Sequence, residues 1–158
     1  MPRKIIHLDL DAFFCAVEEL RQPELRGRAF AVGGKPDQRG VVASCSYAAR
    51  ALGVHSAMPM SRALQLCPDL IVVSPNRQEY EKLSHQVMDR LNNLAPLVEQ
   101  ISIDEAFVDI SDLREPAVDT ARRLQKQILD PVFPPNDPTN APPGKVKELR
   151  GSEKDGKL

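Results

Sequence analysis

An apolar run near the N-terminus ends in carboxylates. Ile5, Ile6, Leu8 and Leu10 predict a short strand, yet Asp9 interrupts it, and Asp11, Ala12, Phe13 and Phe14 follow at once. A buried strand excludes an ionised carboxylate unless the group is paired or metal-bound, so Asp9 needs a partner or an ion. Asp11 has a structural alternative: it precedes a helical pattern and can serve as its N-cap. A second acidic pair, Asp104 and Glu105, lies at or beside the connection between two alternating segments, 98–101 and 106–110. Turns are rich in acidic residues because they are wet, so this pair alone decides nothing. Only the fold could bring it to Asp9, and three clustered carboxylates would repel unless a divalent cation neutralised them.

A third group suits an anion. Ser46 to Gly53 predicts a compact helix with Ser46 as N-cap and Gly53 as the residue just past its end. Tyr47 and Arg50, three apart, share a face near the helix start, where a hydroxyl and a guanidinium could hold a phosphate. The alternative is a solvated arginine beside a packing tyrosine.

The elements that must position these groups follow from period and punctuation. Residues 12–20 predict a helix with Phe13, Val17 and Leu20 on one stripe, closed by Pro23. Residues 28–32 and 41–45 predict strands, with Gly33-Gly34 as a turn. A short helix runs from near Met58 to Leu66, and Leu70–Val73 predicts a buried strand. The clearest helix starts at Asn76, with Glu79 placed for a capping box, and carries Tyr80, Leu83, Val87, Leu91 and Leu94 on one stripe before Pro96. It reads as scaffolding. Pro116 opens a last helix with Val118, Ala121, Leu124 and Ile128 on one face. The prolines that begin at Pro131 argue against further helix or central strand, so 131–158 is expected to be a largely disordered tail.

Composition narrows the class without choosing a function. The 21 basic and 22 acidic residues nearly cancel, so nucleic-acid binding finds no support in bulk charge and must come from a site. Cys15, Cys45 and Cys67 are widely separated and share no ligand spacing with His7, His55 or His85, which predicts reduced thiols of a cytosolic protein and no zinc centre. No long apolar run or signal-like start is present in the sequence, and no membrane partner is expected.

Three motifs occur in order: His7-Leu8-Asp9-Leu10-Asp11-Ala12-Phe13-Phe14, Ser46-Tyr47-Ala48-Ala49-Arg50 and Ser102-Ile103-Asp104-Glu105-Ala106-Phe107. Between the last two stands Gly53-Val54-His55-Ser56-Ala57-Met58-Pro59-Met60. Together, over residues 3–130, they resemble the Y-family translesion DNA polymerases of the DinB or DNA polymerase IV type. The resemblance implies an α+β fold: an incomplete ferredoxin-like palm, β-α-β-β-α with its last strand missing, and an inserted small fingers region. Residues 1–24 and 75–130 would form the palm, 25–74 the fingers and 131–158 the Pro-rich, charged tail.

Residue by residue, the resemblance makes Asp9, Asp104 and Glu105 the catalytic carboxylates that hold two Mg²⁺ ions, with the main-chain carbonyl of Leu10 as a further ligand. Asp11 keeps its N-cap reading. Phe14 matches the steric gate that excludes a ribose 2′-hydroxyl, with Phe13 beside it on the core or sugar-stacking side. Ala43 and Ser44 match small residues that leave a roomy base-pair site, and Tyr47 and Arg50 match the triphosphate-binding pair. The partners implied are primer–template DNA and deoxynucleoside triphosphates, whereas the family's sliding-clamp contacts would lie beyond the end of this chain. Two readings of other classes stay open. A palm without its last strand, thumb and little finger could be a non-catalytic remnant that binds nucleotide or a protein partner. A strand ending in Asp-x-Asp also occurs in haloacid-dehalogenase-type phosphohydrolases, although Phe13 stands where those enzymes carry a small or hydroxyl residue.

Overall fold

The structure is a computed structural model and describes residues 3–133. In chain order the elements are β1 (Ile5–Asp9), α1 (Phe13–Arg21), β2 (Phe30–Gly33), β3 (Val42–Cys45), α2 (Tyr47–Ala51) and α3 (Met60–Leu66). They continue with β4 (Ile71–Val73), α4 (Arg77–Leu94), β5 (Leu97–Gln100), β6 (Glu105–Asp109) and α5 (Ala117–Val132). Two compact units form, one from residues 3–11 and 81–133, the other from residues 12–80.

The first unit is built on an antiparallel sheet of order β1-β6-β5. Side chains alternate across each strand, so Ile6 and Leu8 of β1 and Ala106 and Val108 of β6 fall on the buried face. Val87 and Leu91 of α4 and Leu124 and Ile128 of α5 are buried in the same unit. Among the described residues β1 is an outer strand of this sheet. Asp9 escapes the conflict anticipated for a fully buried strand because it points to the other, half-exposed face with Ile5 and His7.

The second unit holds a sheet of order β3-β2-β4, with β2 antiparallel to β3 and parallel to β4. All of β2 is buried, as its central place requires. Val42, Val54, Met60, Ala63 and Leu70 belong to one core cluster, where Met58 and Met60 fill gaps between elements. Ser46 caps α2 as expected, accepting a hydrogen bond from the Ala49 N–H at 3.2 Å, and Gly53 follows with φ 91°. Asn76 caps α4 in the same manner through the Glu79 N–H at 3.3 Å.

The expectations need correction in several places. The N-cap position of α1 is Ala12, not Asp11: the chain enters the helix through a left-handed Ala12 with φ 50°, and no side-chain cap bond closes that end. A non-glycine residue there costs on the order of 1 kcal/mol. Gly33 belongs to β2 and lies beside a bulge in the β2–β3 pair, so the turn starts one residue later. β4 is half-buried rather than buried. Val118 is 52% exposed, and Thr120 takes a buried position on α5, where its hydroxyl donates to Glu115 at 3.0 Å. Pro131 lies inside α5. A proline this close to the helix end forfeits one backbone bond, while Val132 and Phe133 remain buried beyond it and the Phe133 N–H still reaches the Leu129 carbonyl at 2.6 Å. The rest of the expected tail, 134–158, lies outside the described residues.

Candidate active site

In the first unit, strand register brings the carboxylates together. Asp9 is the cross-strand partner of Glu105, His7 of Phe107 and Ile5 of Asp109, so Asp9 and Glu105 leave the same face side by side. Asp104 is tied to the end of β1 by its own backbone, since its carbonyl accepts from the Leu10 N–H at 2.9 Å. The Ser102 hydroxyl lies 2.9 Å from Asp104 Oδ1 and 3.4 Å from Glu105 Oε2. Ser84 of α4 donates its hydroxyl to the Ile103 carbonyl, which fixes the β5–β6 connection from behind. His7 Nε2 stands 3.7 Å from Glu105 Oε1, with its ring tilted against Phe107 at 5.0 Å.

The electrostatics follow from this crowding. Burial pushes the Asp9 carboxyl above its ordinary range, and the Glu105 and Asp104 carboxylates add to the rise, which His7 partly offsets. A site that makes its own acid reluctant to ionise would gain most from a bound cation. All the side-chain donors are hard oxygens, the ligand chemistry of Mg²⁺. No group of three His, Cys, Asp or Glu side chains among the described residues stands in a metal-holding arrangement, so the fit rests on donor chemistry and charge.

The second unit carries the remaining expected residues. Phe13 is buried, whereas Phe14 is half-exposed, with its ring 6.0 Å from that of Phe13. The Phe14 ring also stacks on Tyr80, with centroids 4.3 Å apart and planes within 15°. Ser44 is buried and hydrogen-bonded with Cys15, whose thiol burial pushes up to about 12; Ala43 is exposed. Arg50 holds its guanidinium carbon 5.1 Å from the Tyr47 ring centroid, so the expected pair does share a helix face. Cys15, Cys45 and Cys67 are all buried, and no disulfide joins them among the described residues.

Sequence reasoning missed two residues here. Tyr80 read as scaffolding on the α4 stripe, and Glu18 read as nothing at all. The only sequence signal for Glu18 was its place one helical turn after Phe14.

The family model described as impB/mucB/samB matches residues 8–133. The chain belongs to this family. Members similar to it include DNA polymerase IV of Clostridium perfringens, 52% identical over 131 residues, which make up 83% of this chain and 36% of that protein. DNA polymerase IV of Pseudomonas aeruginosa is 54% identical over 109 residues, 69% of this chain and 31% of that protein. The chain thus spans about a third of the length of these impB/mucB/samB relatives. Among solved structures, DinB from Sulfolobus solfataricus matches with a TM-score of 0.74 at 34% identity, over 81% of this chain and 39% of that one. The insertion ternary complex of Dbh DNA polymerase matches equally, with a TM-score of 0.74 at 34% identity over 80% and 39%. The mixed α+β fold with two small sheets is therefore that of Y-family polymerase palm and fingers. The phosphohydrolase alternative finds no support in these similarities. No helix among the described residues is long and apolar enough to cross a membrane.

Proposed function

We propose that the chain carries the catalytic portion of a translesion DNA polymerase, transferring deoxynucleotides from their triphosphates to a primer 3′-hydroxyl on a DNA template, in the cytoplasm and in the service of DNA repair. The observation that carries this reading is the pairing of Asp9 with Glu105 in register, with Asp104 bonded through its carbonyl to Leu10 N–H. In this reading Asp9, Asp104, Glu105 and the Leu10 carbonyl hold two Mg²⁺ ions. Once bound, the ions would supply charge neutralisation and a lowered pKa for the attacking hydroxyl.

The chain's own groups do the rest. Tyr47 and Arg50 bind the triphosphate by hydroxyl and guanidinium, a charge-assisted contact for a polyanion. Phe14 presents an aromatic edge or face to the sugar and leaves no room for a 2′-hydroxyl. Phe13 supports it from the core side, and the small Ala43 and Ser44 leave space for an irregular base pair. The palm comprises 1–24 and 75–130 and the fingers 25–74. A charge near neutral gives little general affinity for DNA, so binding by this chain is weak and salt-sensitive.

Template-directed primer extension with Mg²⁺, at high chain and primer concentration, tests the proposal. Incorporation by the wild-type chain and a loss of at least about 100-fold in Asp104→Asn are expected. No incorporation, with deoxynucleotide binding still measurable by calorimetry, would instead support the non-catalytic, nucleotide-binding reading.

A further inference from the structure

The second unit buries a carboxylate that the proposed reaction does not use. Glu18, in the middle of α1, is 0% exposed. Its Oε1 accepts from the Tyr80 hydroxyl at 2.6 Å, and its Oε2 accepts from Arg21 Nη1 at 2.8 Å and Gln22 Nε2 at 3.2 Å. Burying a carboxylate is a poor route to stability, because its desolvation offsets most of the attraction to the partly exposed Arg21 and an apolar residue would fill the same space. Its presence in the core calls for a return of another kind.

That return is visible in what Tyr80 touches. Tyr80 is 1% exposed and stacks on the half-exposed Phe14, which lies one helical turn before Glu18 on α1. One turn of α1 therefore holds Tyr80 at two points, the ring face against Phe14 and the hydroxyl against Glu18. The stack alone leaves the Tyr80 ring free to slide in its plane, while the short hydrogen bond fixes it. Burial, with the Glu18 hydrogen bond next, holds the Tyr80 phenol well above its ordinary range, so the donor keeps its proton throughout physiological pH. Arg21 and Gln22 occupy the other oxygen and prevent the carboxylate from turning away.

We infer that Glu18 is a positioning residue for sugar selection: by holding the Tyr80 hydroxyl it fixes the Tyr80 ring as a platform against Phe14 and so sets how rigidly Phe14 meets the sugar of an incoming nucleotide. The inference rests on the reading of Phe14 as the sugar filter. It assigns Glu18 and Tyr80 no contact with the nucleotide. Both act through the Phe14 ring.

The experiment has a spectroscopic arm and a selectivity arm. The chain has two tyrosines and no tryptophan, so in a Tyr47→Phe background the tyrosine near-ultraviolet circular dichroism and emission report Tyr80 alone. Glu18→Gln in that background is expected to shift both signals. In the full chain with native Tyr47, Mg²⁺ and primer–template, the ratio of deoxynucleotide to ribonucleotide affinity is measured for the wild type, Glu18→Gln, Tyr80→Phe, the double variant and Phe14→Ala. Glu18→Gln and Tyr80→Phe are each expected to lower the ratio roughly fivefold, the worth of one hydrogen bond, and the double variant to lower it no further because one contact is lost in all. Should Glu18→Gln fail to fold, Tyr80→Phe, which removes only the hydroxyl, decides the matter. A ratio that collapses in Phe14→Ala but holds in Glu18→Gln and Tyr80→Phe overturns the positioning role alone. A ratio unmoved by Phe14→Ala, or a wild-type chain without preference, overturns the filter reading and the inference with it. The Tyr80 signal tells these apart, because it responds to Glu18→Gln whether or not Phe14 selects sugars.

Discussion

Asp9 of β1 and Glu105 of β6 are register partners across an antiparallel pair, so two acids leave one face of the sheet at neighbouring positions. Partners opposite one another in such a pair have Cβ atoms about 5 Å apart, a distance at which like charges destabilise. Asp104, bonded through its carbonyl to Leu10, adds a third charge at that end. The arrangement costs stability in the metal-free chain.

The cost has a sign that pH reveals. The folded-state pKa of Asp9 is raised, so its ionisation favours the unfolded chain, and the penalty disappears as pH falls through that raised value. Asp9→Asn is expected to melt about 1–3 °C above wild type at pH 7, a modest gain for a half-exposed group, with the difference shrinking by pH 4. Millimolar Mg²⁺ should raise the wild-type midpoint and leave that of Asp9→Asn where it was. Thermal melts at the two pH values, with and without Mg²⁺, make the comparison; a lower midpoint for Asp9→Asn at pH 7 would refute the repulsion.

Ser46 offers a second test, on the element that carries Tyr47 and Arg50. Its buried hydroxyl donates to the Arg28 carbonyl at 2.9 Å and accepts from the N–H groups of Phe30 at 3.0 Å and Ala49 at 3.2 Å. Ser46→Ala removes the cap of α2 and leaves buried backbone groups of the β2 entry unpaired. A loss of about 2–3 kcal/mol by urea denaturation is expected, together with weaker triphosphate binding. A loss below about 0.5 kcal/mol would mean that water replaces the hydroxyl and that α2 is held by other contacts.

The β2–β3 connection gives a third. A Cβ added to Gly40 would lie 2.1 Å from the Gly34 carbonyl carbon and 2.5 Å from the Lys35 oxygen, both backbone, so the loop must open. Gly53 differs: its φ of 91° disfavours a side chain, but the nearest atom, on Leu66, would be 3.7 Å away. Gly40→Ala is expected to destabilise by about 3 kcal/mol and Gly53→Ala by about 1 kcal/mol. Equal denaturation midpoints for the two variants would contradict the close approach.

Periodicity made most elements legible. A short apolar run found β1, alternation found β5 and β6, and the Asn76–Glu79 spacing found the start of α4, because these signals are local. The failures were local rules outweighed by long-range packing. Asp11 loses the cap position because the chain turns left-handed at Ala12. Pro131 stays helical because Val132 and Phe133 are buried beyond it.

By itself the sequence determined which residues are candidates for chemistry, Asp9, Phe14, Tyr47, Arg50, Asp104 and Glu105, because charge, ring and hydroxyl are properties of residue type and the motifs that hold them are local. Only the tertiary structure decided which of them meet. The register that sets Asp9 opposite Glu105 depends on pairing between strands nearly a hundred residues apart in sequence, which no local pattern encodes. The contact of Glu18 with Tyr80, and of Tyr80 with Phe14, depends in the same way on how α1 packs against the start of α4. A glutamate on a helix reads as a solvated charge until the fold removes its water, and here the fold leaves it a phenol, a guanidinium and an amide instead.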